Sequence, residues 1–270
     1  MDLDGRTGLL LGCMYAVLLG NWALYAWGPL HPVVHVGIGA LGIHMAFTIW
    51  HEAVHGTVSR RQWVNDVVGV AGMLPYLTPY FIQRWVHLEH HRNLNQPDDP
   101  NVIYTSGSFA TILLRYPKAL GYAKQLLQED PRTRRQWWSD TAMLGLVGML
   151  FAAAVLTGHL FALLVLWILP VAVAKVVMDW YINYLPHVGL PADRFRGTRI
   201  LDVGWFTPLV LGHNYHAIHH LWPPVPWHRY RSVYRSKLEY LKKNGVPIER
   251  RVLGGWEQSP RVRGEAAVSD

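Results

Sequence analysis

Four stretches of this chain are apolar enough to cross a lipid bilayer, and that restricts the fold more than any other feature. They run over residues 9–27, 33–50, 142–157 and 161–180. Eighteen helical residues cover roughly 27 Å, close to the ~30 Å hydrocarbon core of a membrane. The third stretch is short by count and needs its flanks to reach the interface. The turns Gly28-Pro29-Leu30-His31-Pro32 and Gly158-His159-Leu160 pair the stretches into two helical hairpins. Composition agrees. Charged residues are 16% of the 270, against roughly 25% in soluble domains, while hydrophobic residues reach 51% and tryptophan, an interfacial residue, occurs 13 times. Disordered, collagen-like and disulfide-scaffold classes are excluded, the last because Cys13 is the only cysteine. The expected fold is all-α and integral to the membrane: four transmembrane helices in two hairpins, one domain over 1–270, and a polar tail from about residue 260.

Basic residues orient this arrangement. Residues 51–140 carry ten Lys/Arg and residues 187–270 carry thirteen, whereas the two hairpin turns carry none. The positive-inside tendency therefore puts the termini and the middle stretch on the cytoplasmic side, most simply of a bacterial inner membrane. The net charge of +7 then belongs to a helical cap facing anionic headgroups and acidic partners. Nothing combines basic residues with a nucleic-acid-binding module, so nucleic acid is not an expected partner. No cleavable signal is expected, because the first apolar run lacks a strongly basic flank and leads into a second. Within the middle stretch, residues 67–82 are interrupted by Gly72, Pro75 and Pro79 and are expected to dip into the interface. Residues 109–127 fit an amphipathic helix on the headgroups.

The candidate chemistry lies in histidine, present 15 times. His51 and His55 stand at i and i+4, a spacing that puts both imidazoles on one helical face. His87, His90 and His91 form an HxxHH group, and His216, His219 and His220 form another. One such group is expected by chance only about 0.05 times in a chain of this composition. His187, in Asn183-Tyr-Leu-Pro-His187, adds one imidazole at the same depth. Nine side chains exceed what one ion can use, so two ions are implied. Without cysteine the set is not thiolate zinc, and imidazole-rich ligation suits iron, zinc or copper. Asp98 and Asp99 are candidates to orient ligand rings through their outer N–H groups. His213 is expected beside the metals, and His228 flanks the same group. His31, His35 and His159 are expected to be ordinary interfacial residues. His44 is a candidate by its depth in the second span, with a packing role expected.

The boxes HEAVH, HLEHH and HAIHH, with His187 between the second and third, resemble those of the membrane fatty acid desaturase superfamily. Within it, VHLEHHRNLNQPDDP and LGHNYHAIHHLWPPVPWHRY are most similar to cyanobacterial-type beta-carotene hydroxylases, over residues of about 44 to 230. HEAVHG and LPHVG are also similar to elements of bacterial carotenoid ketolases. The sequence departs from the hydroxylase pattern at His213, where those enzymes usually carry Gln, and at Gln96, where they carry an acidic residue. The resemblance implies a four-span fold and a non-haem centre of two Fe ions ligated by the nine histidines. It further implies Asn183 reaching a metal directly or through water, O2 as co-substrate, and hydroxylation at carbon 3 of a beta-ionone ring.

An unactivated C–H bond needs an oxidant that side chains cannot supply, so the di-iron centre carries the chemistry and no separate acid or base is assigned. Hydroxylation and desaturation use the same oxidant, and substrate placement decides between them. The substrate is then an apolar lipid or carotenoid, and Trp222 and Trp227 in LWPPVPW are candidates for its pocket wall. With no electron-carrying module visible, a separate donor such as a ferredoxin is expected. Fatty acyl desaturation and carotenoid ketone formation are the enzymatic alternatives. A histidine-rich metal-binding or transport protein is the non-enzymatic one, disfavoured because a transporter spreads ligands through the membrane depth.

Overall fold

The computed structural model describes residues 3–28, 30–76, 78–111 and 134–253, of which 134–140 by backbone alone. The helix expected over 109–127 and the tail after 260 lie outside these residues, apart from 109–111. The helices are α1 (Gly5–Trp27), α2 (Pro32–Val54), α3 (Gln62–Met73), α4 (Tyr80–Arg92), α5 (Arg134–Leu156), α6 (Leu160–Tyr184), α7 (His216–Leu221) and α8 (Tyr230–Lys243). Two short parallel strands, β1 (Ile200–Leu201) and β2 (Ile248–Glu249), pair Ile200 with Ile248.

Three of the four expected spans are confirmed by length and composition: α1, α2 and α6. α5 runs over Arg134–Leu156 by its backbone, with Thr141–Leu156 as its apolar part, and a fourth crossing there remains an expectation from the sequence. Boundaries move for local reasons. α1 starts at Gly5 because the Asp4 carboxylate caps it, accepting from the Thr7 N–H at 2.9 Å and the Thr7 hydroxyl at 2.6 Å. α2 runs to Val54, so the first histidine box lies in its last turn with His55 as its C-cap. α6 continues to Tyr184 through two wider π turns, Leu164–Ile168 and Asp179–Tyr184. The first of these sits just before Pro170, which has no N–H to donate.

The chain divides into two compact units: Met1–Trp85 with Asp130–Met178, and Val86–Glu129 with Asp179–Asp270. In the first unit α2 packs on α1, α3 and α6. Glycines let these backbones approach closely: a Cβ on Gly42 would come within 2.7 Å of Leu18, and one on Gly39 within 2.7 Å of Pro170. Several polar groups inside this unit pair between elements. The Asn21 amide donates to the His35 carbonyl at 2.9 Å, and its oxygen faces His35 Nδ1 at 2.8 Å. His35 is therefore buried within the α1–α2 hairpin, contrary to the interfacial position expected for it. Tyr15 donates to the Ala71 carbonyl at 2.8 Å, and Trp167 to the Pro75 carbonyl at 2.7 Å. Leu9, Leu19, Trp27 and Val33 are exposed on the outside, as a lipid-facing surface requires. The 67–82 stretch is broken as expected, with α3 ending at Met73 and a tight 3₁₀ turn over Leu74–Tyr76 leading toward α4.

The second unit is built around α7 and α8. Tyr230, Tyr234 and Leu241 lie on one face of α8 and are buried against Tyr215, Ile218 and Ile200. Burial of a side chain such as Leu241 stabilises by roughly 1.5–3 kcal/mol. Tyr234 also donates to Asp202 at 2.9 Å, fixing α8 to the segment after β1. Buried Asn214 donates to the Leu201 carbonyl at 2.7 Å and to the Thr207 hydroxyl at 3.1 Å, which sets the entry of the chain into α7.

Candidate metal centre

In the first unit, His51 and His55 bring their rings to 4.9 Å between centroids, as the i, i+4 spacing predicts. Phe47, one turn earlier, stacks on His51 at 5.1 Å. Burial pushes the His55 imidazole down to about 3, so it is neutral and able to ligate. His44 is half-buried in α2. His31 and His159 lie at the hairpin turns, where His31 caps α2 and His159 faces the Thr157 hydroxyl at 3.0 Å.

In the second unit seven histidines converge. α4 presents His87, His90 and His91 on its last turns, and α7 presents His216, His219 and His220. His187 enters from the turn after α6. One ligand nitrogen from each of His90, His187, His216 and His220 lies within 4.8 Å of the others, and the same holds for His91, His219 and His220. Both groups could hold a metal ion. The Nε2 atoms face one another directly: His187 to His216 at 3.0 Å, His216 to His220 at 3.0 Å, His91 to His219 at 2.8 Å and His91 to His87 at 3.1 Å.

The outer nitrogens decide what those inner atoms offer. His90 Nδ1 lies 2.9 and 3.0 Å from the two oxygens of Asp99, which is fully buried. A carboxylate only accepts, so Nδ1 carries the proton and Nε2 is left with a lone pair. His187 Nδ1 faces the Asn95 carbonyl oxygen at 3.2 Å, and His219 Nδ1 faces the Tyr230 hydroxyl at 3.2 Å. Burial first, and then neighbouring imidazoles, hold His187, His216 and His220 well below the usual histidine range; Arg199 adds to this at His187. They stay neutral, the state that ligates. Hydrogen bonds alone cannot satisfy this arrangement, because His216 Nε2 meets two facing nitrogens while its buried Nδ1 has no partner. A cation at the centre would take the converging lone pairs, and an all-imidazole donor set fits iron.

Residues 25–251 match the sequence model of a family described as "Fatty acid desaturase". The chain belongs to that family. Over 90 residues it is 34% identical to the "sn-1 oleoyl-lipid 12-desaturase" of Picosynechococcus sp., a match spanning 32% of this chain and only 25% of that protein. It is 24% identical over 219 residues to the "sn-1 acyl-lipid omega-3 desaturase (ferredoxin)" of Nostoc sp., covering 71% of this chain and 58% of that one. It is 28% identical over 246 residues to the "Beta-carotene ketolase" of Paracoccus sp., covering 86% of this chain and 93% of that one.

The other residues singled out from the sequence have diverse placements. Asp99 faces His90, whereas Asp98 is exposed. His213 is buried, its ring 6.0 Å from that of Tyr230. The Asn183 amide donates to Asp179 at 2.9 Å, one turn earlier in α6. Trp222 and Trp227 pack against the second unit's core, Trp222 with its ring 6.1 Å from Tyr240. The sequence reading did not single out Asn95 or Tyr230. Tyr230 carried a usable signal, since it opens α8 soon after a box ending in an apolar face. Asn95 carried only its place in the loop NLNQPDDP.

Proposed function

We propose that this chain is an O2-dependent di-iron membrane oxygenase that hydroxylates a carotenoid ring, similar to a beta-carotene 3-hydroxylase. The observation that carries the reading is the convergence of imidazoles whose outer nitrogens face a buried carboxylate, an amide and a phenol. The ketolase of Paracoccus, alike over nearly its whole length, supports a carotenoid substrate. His51, His55, His87, His90, His91, His187, His216, His219 and His220 would hold two iron ions. Iron so held would supply the oxidising power for hydroxylation, in which O2, two electrons and two protons give one hydroxyl on the substrate and one water.

The chain's own residues position and exclude. Asp99 and Tyr230 hold ligand rings in place, and burial keeps water away from those rings. The site acts within one domain at the cytoplasmic face of a bacterial inner membrane. The basic surface receives an acidic donor of the ferredoxin type, the donor named for the Nostoc relative. Asn183, His213 and Asp98 are placed around the metals in this reading, and Trp222 and Trp227 along the substrate path.

A second reading, fatty acyl desaturation, is supported by the desaturase relatives. Expression in cells that make beta-carotene, followed by identification of pigments and lipids, separates the two. Hydroxylated beta-carotene is the expected product, and Trp222→Ala is expected to change the product pattern more than the iron content. Unchanged pigment with newly unsaturated acyl chains would establish the desaturase reading instead.

A further inference from the structure

Asn95 lies within the second unit in a loop that follows α4, and its backbone is unusual. Its φ of +56° is left-handed, a region that Asn tolerates better than most residues but that always needs a reason. In this conformation the residue makes three kinds of contact. Its backbone N–H donates to Asp99 Oδ2 at 2.8 Å, and Asp99 is the carboxylate that holds His90. Its side-chain Nδ2 donates to the carbonyls of Gly197 at 2.7 Å and Pro191 at 3.1 Å. Its Oδ1 faces His187 Nδ1 at 3.2 Å.

These contacts form a chain of consequence. Backbone carbonyls only accept, so the amide has one permitted orientation, with Nδ2 toward Gly197 and Pro191. That leaves Oδ1 toward His187, and an amide oxygen only accepts. The proton of His187 therefore sits on Nδ1, and Nε2 presents its lone pair toward His216. His90 and His187 belong to the same four-histidine group. One loop residue thus acts on two of its four members, on His187 by its side chain and on His90 by securing Asp99.

We infer that Asn95 is a positioning residue of the metal centre: the backbone carbonyls of Pro191 and Gly197 set its amide, and its amide sets the His187 tautomer. The inference rests on the metal-centre reading above. It assigns to Asn95 an effect on one metal site rather than on both, and an effect on metal rather than on fold.

The test uses the purified full-length chain with variants Asn95→Gly and Asn95→Asp, loaded with isotopically enriched iron. Glycine keeps the left-handed backbone and the N–H to Asp99 but removes the acceptor for His187. Aspartate keeps an acceptor for His187 but cannot donate to the Gly197 and Pro191 carbonyls. Loss of such an outer partner typically weakens metal binding by about 10–100-fold. Expected for Asn95→Gly is a loss of that size at one iron under chelator challenge. One of the two Mössbauer signals should change, with the thermal unfolding midpoint of the metal-free protein close to that of wild type. Asn95→Asp, whose acceptor the carbonyls no longer set, should also fall below wild type in iron affinity. An Asn95→Gly protein with wild-type affinity and spectrum overturns the inference. So does an Asn95→Asp protein with wild-type affinity and spectrum, a result that decides on its own should Asn95→Gly fail to fold. Wild-type protein that binds no iron overturns the metal-centre reading itself, and the inference with it.

Discussion

The hydrogen-bonded polar side chains of the two units serve different ends. In the first, Asn21 is closed on His35, Tyr15 on the Ala71 carbonyl and Trp167 on the Pro75 carbonyl, each a local pair between elements. In the second, Asp99, Asn95 and Tyr230 each serve the outer nitrogen of a histidine whose inner nitrogen points at another histidine. The first pattern joins neighbouring helices and helps them pack. The second leaves lone pairs converging on a common centre, a costly arrangement unless a cation takes them. The difference separates polar residues that hold a membrane hairpin together from polar residues that prepare a site.

The contrast can be broken most forcefully at the ligands. Changing any one of His87, His90, His91, His216, His219 or His220 to Ala is expected to abolish turnover, measured as product formed by the purified, reduced enzyme. Near-normal rates in two or more of these variants would remove the assignment. Next in size is Asp99→Ala, which frees the His90 ring and is expected to weaken metal binding by about 10–100-fold. Chelator titration measures this, and the hairpin of the first unit should be unaffected.

Gly42→Leu asks the opposite question. The added side chain meets Leu18 where even a Cβ is too close, and overpacking of this kind costs roughly 1–3 kcal/mol. A lower unfolding midpoint with iron content per folded chain unchanged is the expected outcome. His31→Ala and His159→Ala sharpen the contrast from its quiet end. Both are exposed at hairpin turns, and neither should change rate or iron content measurably.

Much of this was legible in the residues themselves. The apolar runs located α1, α2 and α6, and the box spacings named the histidines that share helical faces. Boundaries were less legible, because the last turn of α2 is polar enough to look like a loop, and α1 begins with Asp4 and Gly5 rather than with an apolar residue. His35 was misplaced because its depth was read from distance to the turn, while its burial depends on Asn21 in the neighbouring helix. Asn95 escaped notice for a related reason. Its partners at residues 187, 191 and 197 are distant in sequence, and a left-handed asparagine in a loop has no periodicity to reveal it.

The central claim is that the histidines exist to hold two redox metal ions, and metal analysis of the purified full-length wild-type chain beside His216→Ala tests it most directly. About two irons per wild-type chain are expected, with iron lost in the variant while the protein remains folded. A wild-type chain that carries labile zinc and no iron would contradict it.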